Sequence, residues 1–201
     1  VRIGWAIFLE GSGGTPDLLD QVTWNTETVN GASIFPLWQR IRYPEAGMSS
    51  PPTLETEYTY YQDADGNDTL QVYQIVQKMP VVPTSQNGDG LEHEITSIMD
   101  VNGNLIWKKD ARGYITNWQY RPDGVLMQRI DDVDTTKVEN VPDGWTTPAG
   151  GGQNLVTDIV SDAVGKPLIQ YGPWHQAVLH EEDTEAVNVR TVKLTLYRPD
   201  L

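Results

Sequence analysis

Residues 98–130 read IMDVNGNLIWKKDARGYITNWQYRPDGVLMQRI. Three turn tokens lie inside this stretch, Asp100-Val101-Asn102-Gly103-Asn104, Asp110-Ala111-Arg112-Gly113 and Pro122-Asp123-Gly124, so glycines recur at 103, 113 and 124. Between them run short segments rich in aromatic and β-branched residues. Asp or Asn followed by Gly supplies the positive φ of a tight reversal, while Tyr, Ile, Thr and Trp favour a pleated, half-buried surface. The stretch predicts an antiparallel strand meander with a beat of ten or eleven residues. Residues 114–120 alternate cleanly, with Tyr114, Thr116, Trp118 and Tyr120 on one face and Ile115, Asn117 and Gln119 on the other.

Towards the N-terminus the same grammar continues. Residues 54–61 set Leu54, Thr56, Tyr58 and Tyr60 against Glu55, Glu57 and Thr59, turn at 63–67 and return through 70–77 as a hairpin. Pro80, Pro83 and residues 85–90 mark a loop, and residues 44–53, PEAGMSSPPT, a linker or crossing loop. Residues 1–43 form an N-terminal β region. Its first strand carries Ile3, Trp5 and Ile7 and stops at Gly11-Ser12-Gly13-Gly14. Thr15 and Pro16 fit the cap and first position of a short helix. Asn30-Gly31 is a strong hairpin token, and Pro36 makes the arm that follows an edge or irregular strand.

Towards the C-terminus, residues 131–140 are acidic and residues 141–153, VPDGWTTPAGGGQ, predict an exposed loop. Residues 155–160 and 167–171 form a hairpin about Asp162-Ala163-Val164-Gly165, which closes a repeat region at 54–171. The remaining 172–201 contain a strand over 187–198. Its apolar phase slips from Val187 and Val189 to Val192, Leu194 and Leu196, which predicts a bulge or bend near Arg190-Thr191.

The totals agree with many turns and flat sheets. Seven Trp and nine Tyr stand against two Phe, and 18 Gly and 13 Pro are spread along 201 residues. The formal charge of −14 repels phosphate backbones, which excludes nucleic acid as a partner. With no cysteine, disulfides, thiolate catalysis and Cys-based zinc sites are all ruled out. No apolar run approaches the ~20 residues of a membrane helix, so no membrane insertion is expected. A start at Val1 without a signal peptide reads as a processed product or a piece of a longer protein.

Residues 60–67 (YYQDADGN), 97–104 (SIMDVNGN), 107–114 (WKKDARGY) and 159–166 (IVSDAVGK) share an Asp three residues before a Gly, with extended runs on both sides. A single hairpin cannot bury its own face, whereas stacked hairpins build a continuous sheet. The pattern resembles the Rhs or YD-repeat family, whose units follow Tyr, Asp, x, x, Gly, Asn/Arg, x, Leu/Ile. The best matches are residues 63–67, 100–105 and 110–115, in irregularly spaced copies across roughly 54–171. The resemblance implies a spiralling β-sheet and a place in a large secreted or cell-surface protein that encloses or presents another polypeptide. The DPxGL-like motif that ends many such shells is absent from the sequence, so no self-cleavage residues carry over.

Candidate chemistry is sparse. Asp63, Asp65 and Asn67 are weak Ca²⁺ candidates, but their Gly spacing departs from the EF-hand loop and Asx turn chemistry explains them. Asp131, Asp132 and Asp134, like Glu181, Glu182, Asp183 and Glu185, read as solvated acidic loops. His175 and His180 are too awkwardly spaced for one helix or strand face. No pair among the carboxylates is singled out for glycoside hydrolysis, and Gly11-Ser12-Gly13 lacks a nucleophile elbow. Asn67-Asp68-Thr69 is the sole N-glycosylation sequon. Tyr58 with Tyr60, and Tyr114 with Trp118 and Tyr120, fit either sugar stacking or the favoured cross-strand packing.

These readings converge on an all-β protein of antiparallel strand-turn repeats, an extended or spiralling sheet or sandwich with little or no helix. The expected role is non-enzymatic, with no catalytic residues and no cofactor beyond the Ca²⁺ candidates. It is that of a building block in a secreted or cell-surface assembly, either a shell segment or a self-associating filament subunit. Partners are further copies or parent-chain neighbours, joined through the strands of Ile3, Trp5 and Ile7 and of Val192, Leu194 and Leu196. The alternative is a carbohydrate-binding module using the aromatic faces, and third comes a hydrolase of extracellular polymers.

Overall fold

The computed structural model of the chain describes residues 2–10, 16–43, 51–178 and 185–197, with 2–10 and 16–18 as backbone alone. Among the described residues the regular structure is all β apart from one 3-10 turn at Thr84–Gln86. The chain divides into two compact units, Val1–Gly103 with Asp110–Arg112, and Asn104–Lys109 with Gly113–Leu201.

The first unit holds β1 (Arg2–Glu10), β2 (Pro16–Trp24), β3 (Glu27–Val29), β4 (Ala32–Ile34), β5 (Leu37–Arg42), β6 (Thr53–Gln62), β7 (Asp68–Lys78) and β8 (Glu94–Met99). Six of these form an open antiparallel sheet in the order β1-β2-β5-β6-β7-β8, while β3 and β4 pair only with each other. The second unit orders β9 (Leu105–Lys109), β10 (Ile115–Tyr120), β11 (Leu126–Asp131), β12 (Leu155–Ser161), β13 (Pro167–Ala177) and β14 (Val187–Leu194) as they occur in the chain. Every ladder is antiparallel.

One turn device serves most of the reversals. In residues 63–67 the Gly66 N–H donates to the Asp63 carbonyl at 3.1 Å and the Asp63 N–H to the Asn67 carbonyl at 2.9 Å. Asp63 Oδ1 accepts the N–H groups of Asp65 and Asn67. Residues 162–166 repeat this bond for bond, with Asp162 Oδ1 accepting from Val164 and Lys166. Asp100 and Asp110 accept the N–H two residues on at 2.8 and 2.9 Å. Residues 121–125 keep both main-chain bonds with Arg121 in the first position. Gly66, Gly103, Gly113, Gly124 and Gly165 all have φ between 80° and 89°, the left-handed residue that closes a three-residue hairpin loop. Asn30 and Gly31, at φ 48° and 74°, make the two-residue turn between β3 and β4.

Two expectations need correction. The Thr15-Pro16 helix start falls on β2, where Pro16 stands opposite Glu10 of β1. A proline is tolerated as the first residue of a strand, and pairing with β1 overrides the local capping signal, Thr15 itself lying outside the described residues. The irregularity near Arg190-Thr191 exists, but its extra residue sits on the partner strand. Tyr171 pairs Val192 and Trp174 pairs Arg190, which leaves Gly172 and Pro173 opposite Thr191. β14 ends at Leu194, with Thr195 still bonded to the Leu168 carbonyl and Arg198 outside the described residues.

Residues 141–153 have no regular structure; Asp143, Gly144, Thr146, Ala149, Gly150 and Gln153 are exposed, while the residues between them are half-buried and fastened. The Trp145 ring meets Trp107 edge-on, centroids 6.5 Å apart. Thr147 Oγ1 donates to the Val133 carbonyl at 3.1 Å, and Asp132 accepts the N–H groups of Gly152 and Gln153 at 2.8 and 3.1 Å. Beneath the loop Ile115 and Val133 are fully buried, with Trp107 and Ile130 nearly so. Buried Asn117 completes this face, its Nδ2 donating to the Ile106 carbonyl and its Oδ1 accepting from Gln119.

The first unit buries Val22, Val29, Tyr60 and Ile98. It also buries Asp20, whose carboxylate takes the Arg40 guanidinium at 2.9 Å and is held below the usual carboxylate range by that bond. Eight apolar side chains are buried among the described residues of both units.

Candidate functional site

The feature that best fits an interaction site is the open edge of the second unit's sheet. β14 is the last strand of that sheet, bonded to β13 on one side, with no described strand on its other side. An edge strand presents a row of unpaired N–H and C=O groups that another strand can complete. Along it Val187, Val192 and Leu194 are exposed, and Leu196 and Tyr197 continue beyond its end, Leu194 at 68% and Leu196 at 94%. Lys193 gives the edge one of the charges that usually discourage such pairing, flanked by the aliphatic pair Val192 and Leu194.

The edge is tied to its neighbours through Arg190. Arg190 lies over the rings of Tyr171 and Trp174, at 4.7 and 5.0 Å from their centroids. Its Nη2 donates to Asp158 Oδ2 at 2.7 Å and its Nε to the Gly172 carbonyl at 3.1 Å. One side chain thus ties β14 to β12 and across the β13 bulge. Gln128 and Arg190 bond the Asp158 carboxylate and hold it below the usual range. The bulge creates this arrangement, since it brings Tyr171 and Trp174, three positions apart, to bear on one guanidinium. Only the slip in apolar phase near Arg190 hinted at it in the sequence. At the other end of the chain, β1 is the terminal strand of the first unit's sheet, and the side chains of Ile3, Trp5 and Ile7 lie outside the described residues.

The aromatic ladder is divided. Trp118 is half-buried opposite Arg129. Tyr120 follows a register shift, pairs Leu126 and donates its hydroxyl to the Leu105 carbonyl at 3.0 Å. Tyr114 lies against the fastened loop, its ring 3.2 Å from where a Cβ on Gly151 would stand. Tyr60 is buried and donates to Glu27 Oε2 at 3.0 Å, so burial and that carboxylate push its phenol well up. Tyr58 is half-buried.

The remaining candidates are placed by local needs. Both Asp63 oxygens face the turn's own N–H groups and the Asn67 amide. Among the described residues no three His, Asp or Glu side chains gather to hold a metal. Asp65 and Asn67 are exposed on the same turn. Asp131 pairs with Arg129 at 2.7 Å, and Asp134 with Lys137 at 2.8 Å. His175 is exposed near the Pro173 carbonyl. His180, Glu181, Glu182 and Asp183 lie outside the described residues, and Glu185 is exposed. Against known proteins, the chain matches no protein-family model and no curated protein.

Proposed function

We propose that this chain is a non-enzymatic structural building block of a larger assembly, extended at β14 by a strand from another copy. The observation that supports this reading is the outer edge of β14, which no described strand covers and along which Val187, Val192 and Leu194 are exposed. Such a sheet gains stability by acquiring another strand, because each added ladder pairs edge amides and covers apolar side chains. Repeated left-handed-glycine turns supply the regular strands this requires. Secretion or surface display rests on the resemblance of residues 54–171 to YD repeats.

Sedimentation velocity across a concentration series tests the assembly. The expected result is a rise in sedimentation coefficient with concentration, abolished by Val192→Lys with Leu194→Lys, while circular dichroism stays unchanged. Charged side chains on an edge strand oppose edge-to-edge pairing without burying anything in the monomer. A single monomeric boundary at every concentration contradicts the proposal.

A further inference from the structure

Beside the β3–β4 hairpin the first unit carries a cleft of about 340 Å³, lined by Asn25, Glu27, Trp38, Thr56 and Tyr58 among others. The register explains why these residues meet. Arg40 stands opposite Leu54, so Trp38, Thr56 and Tyr58 share one face of β5 and β6. β3 reaches the same face, because Glu27 accepts the Tyr60 hydroxyl from β6. A second opening of about 370 Å³ adjoins the first and shares Glu27, Tyr58 and Thr59 with it, adding Tyr60 and Asp68.

The polar groups here are unusually idle. The Trp38 indole N–H and the Tyr58 hydroxyl have no protein partner among the described residues, and Thr56 Oγ1 is buried without one. Tyr60 occupies Glu27 Oε2 and leaves Oε1, while Asn25 uses its Oδ1 on the Thr26 N–H and leaves its amide nitrogen. Half-buried aromatic rings ringed by unused donors and acceptors match a sugar, which offers a C–H face for stacking and a rim of hydroxyls for bonding. The carboxylates of Glu27 and Asp68 disfavour anionic sugars by like-charge repulsion.

We propose that this cleft binds a neutral oligosaccharide, one ring stacked on Trp38 and its hydroxyls bonded to Glu27, Asn25 and Tyr58. The adjoining opening across Tyr58 takes the next ring, so chains bind better than single sugars. The inference does not depend on assembly through β14.

Saturation-transfer NMR and calorimetry on the full chain test it, using neutral tetrasaccharides of glucose, N-acetylglucosamine, mannose, galactose and xylose, with a tetragalacturonate as the anionic control. At least one neutral tetramer is expected to bind and the uronate to be excluded. Trp38→Ala should weaken binding at least tenfold and Tyr58→Ala several-fold, with circular dichroism unchanged. Should Trp38→Ala fail to fold, Tyr58→Ala and Glu27→Gln carry the same expectation. No binding by any neutral tetramer, or binding that survives substitution of these residues in folded protein, overturns it.

Discussion

At the scale of single residues the turn glycines separate backbone cost from crowding. Gly124 has φ 81° and open space where a Cβ would stand, so Gly124→Ala pays only the left-handed backbone penalty. That penalty is about 1–2 kcal/mol, and Gly124→Asn should recover part of it. Gly165 has φ 85° and places the same Cβ 3.0 Å from Val125 Cγ2, so Gly165→Ala should cost more. Urea unfolding followed by tryptophan fluorescence checks the order, and equal costs would contradict it. These positions were legible in the sequence because an Asx turn is local: Asp63 and Asp162 bond N–H groups two and four residues on. Asp132 was not legible. Its partners Gly152 and Gln153 lie 20 and 21 residues away, and in one dimension it reads as one more acid in a solvated run.

At the scale of elements, the hairpins follow from period-two alternation and turn tokens, whereas β2 and the 141–153 loop depend on distant partners. The composition of that loop signals exposure, but Trp145 has Trp107 to pack on, from a strand nearly forty residues earlier in the chain. The Arg190 clamp is equally nonlocal, drawing on Asp158, Tyr171 and Trp174. At the foot of the loop, Lys137 and Thr136 hold the Asp134 carboxyl at about 2. An unfolded Asp titrates near ~3.9, so as pH falls the unfolded chain takes up this proton first. The stability from Asp134 is therefore complete above about pH 4 and is lost as pH drops towards 2. Protection factors over residues 134–147, taken against the intrinsic exchange rate at each pH, should fall across that window, and Asp134→Asn should show lower protection at neutral pH with a flatter response to acid. An unchanged pH profile in Asp134→Asn would contradict this assignment.

At the scale of the molecule, an all-β fold was readable because the turn grammar recurs from Asn30-Gly31 to Asp162-Gly165. What the sequence could not display is which apolar residues of a strand are left exposed. Alternation marks two faces of a strand but not what lies over each, and on β14 Val187, Val192 and Leu194 remain exposed. Assembly at that edge is the central claim, and it concerns particular amides. Hydrogen exchange by mass spectrometry across residues 187–194, read at increasing protein concentration, examines them directly. The outward half of these amides should exchange fast in dilute solution and become protected as concentration rises, with β10 and β11 unchanged. Fast exchange of the same amides at every concentration would contradict the account.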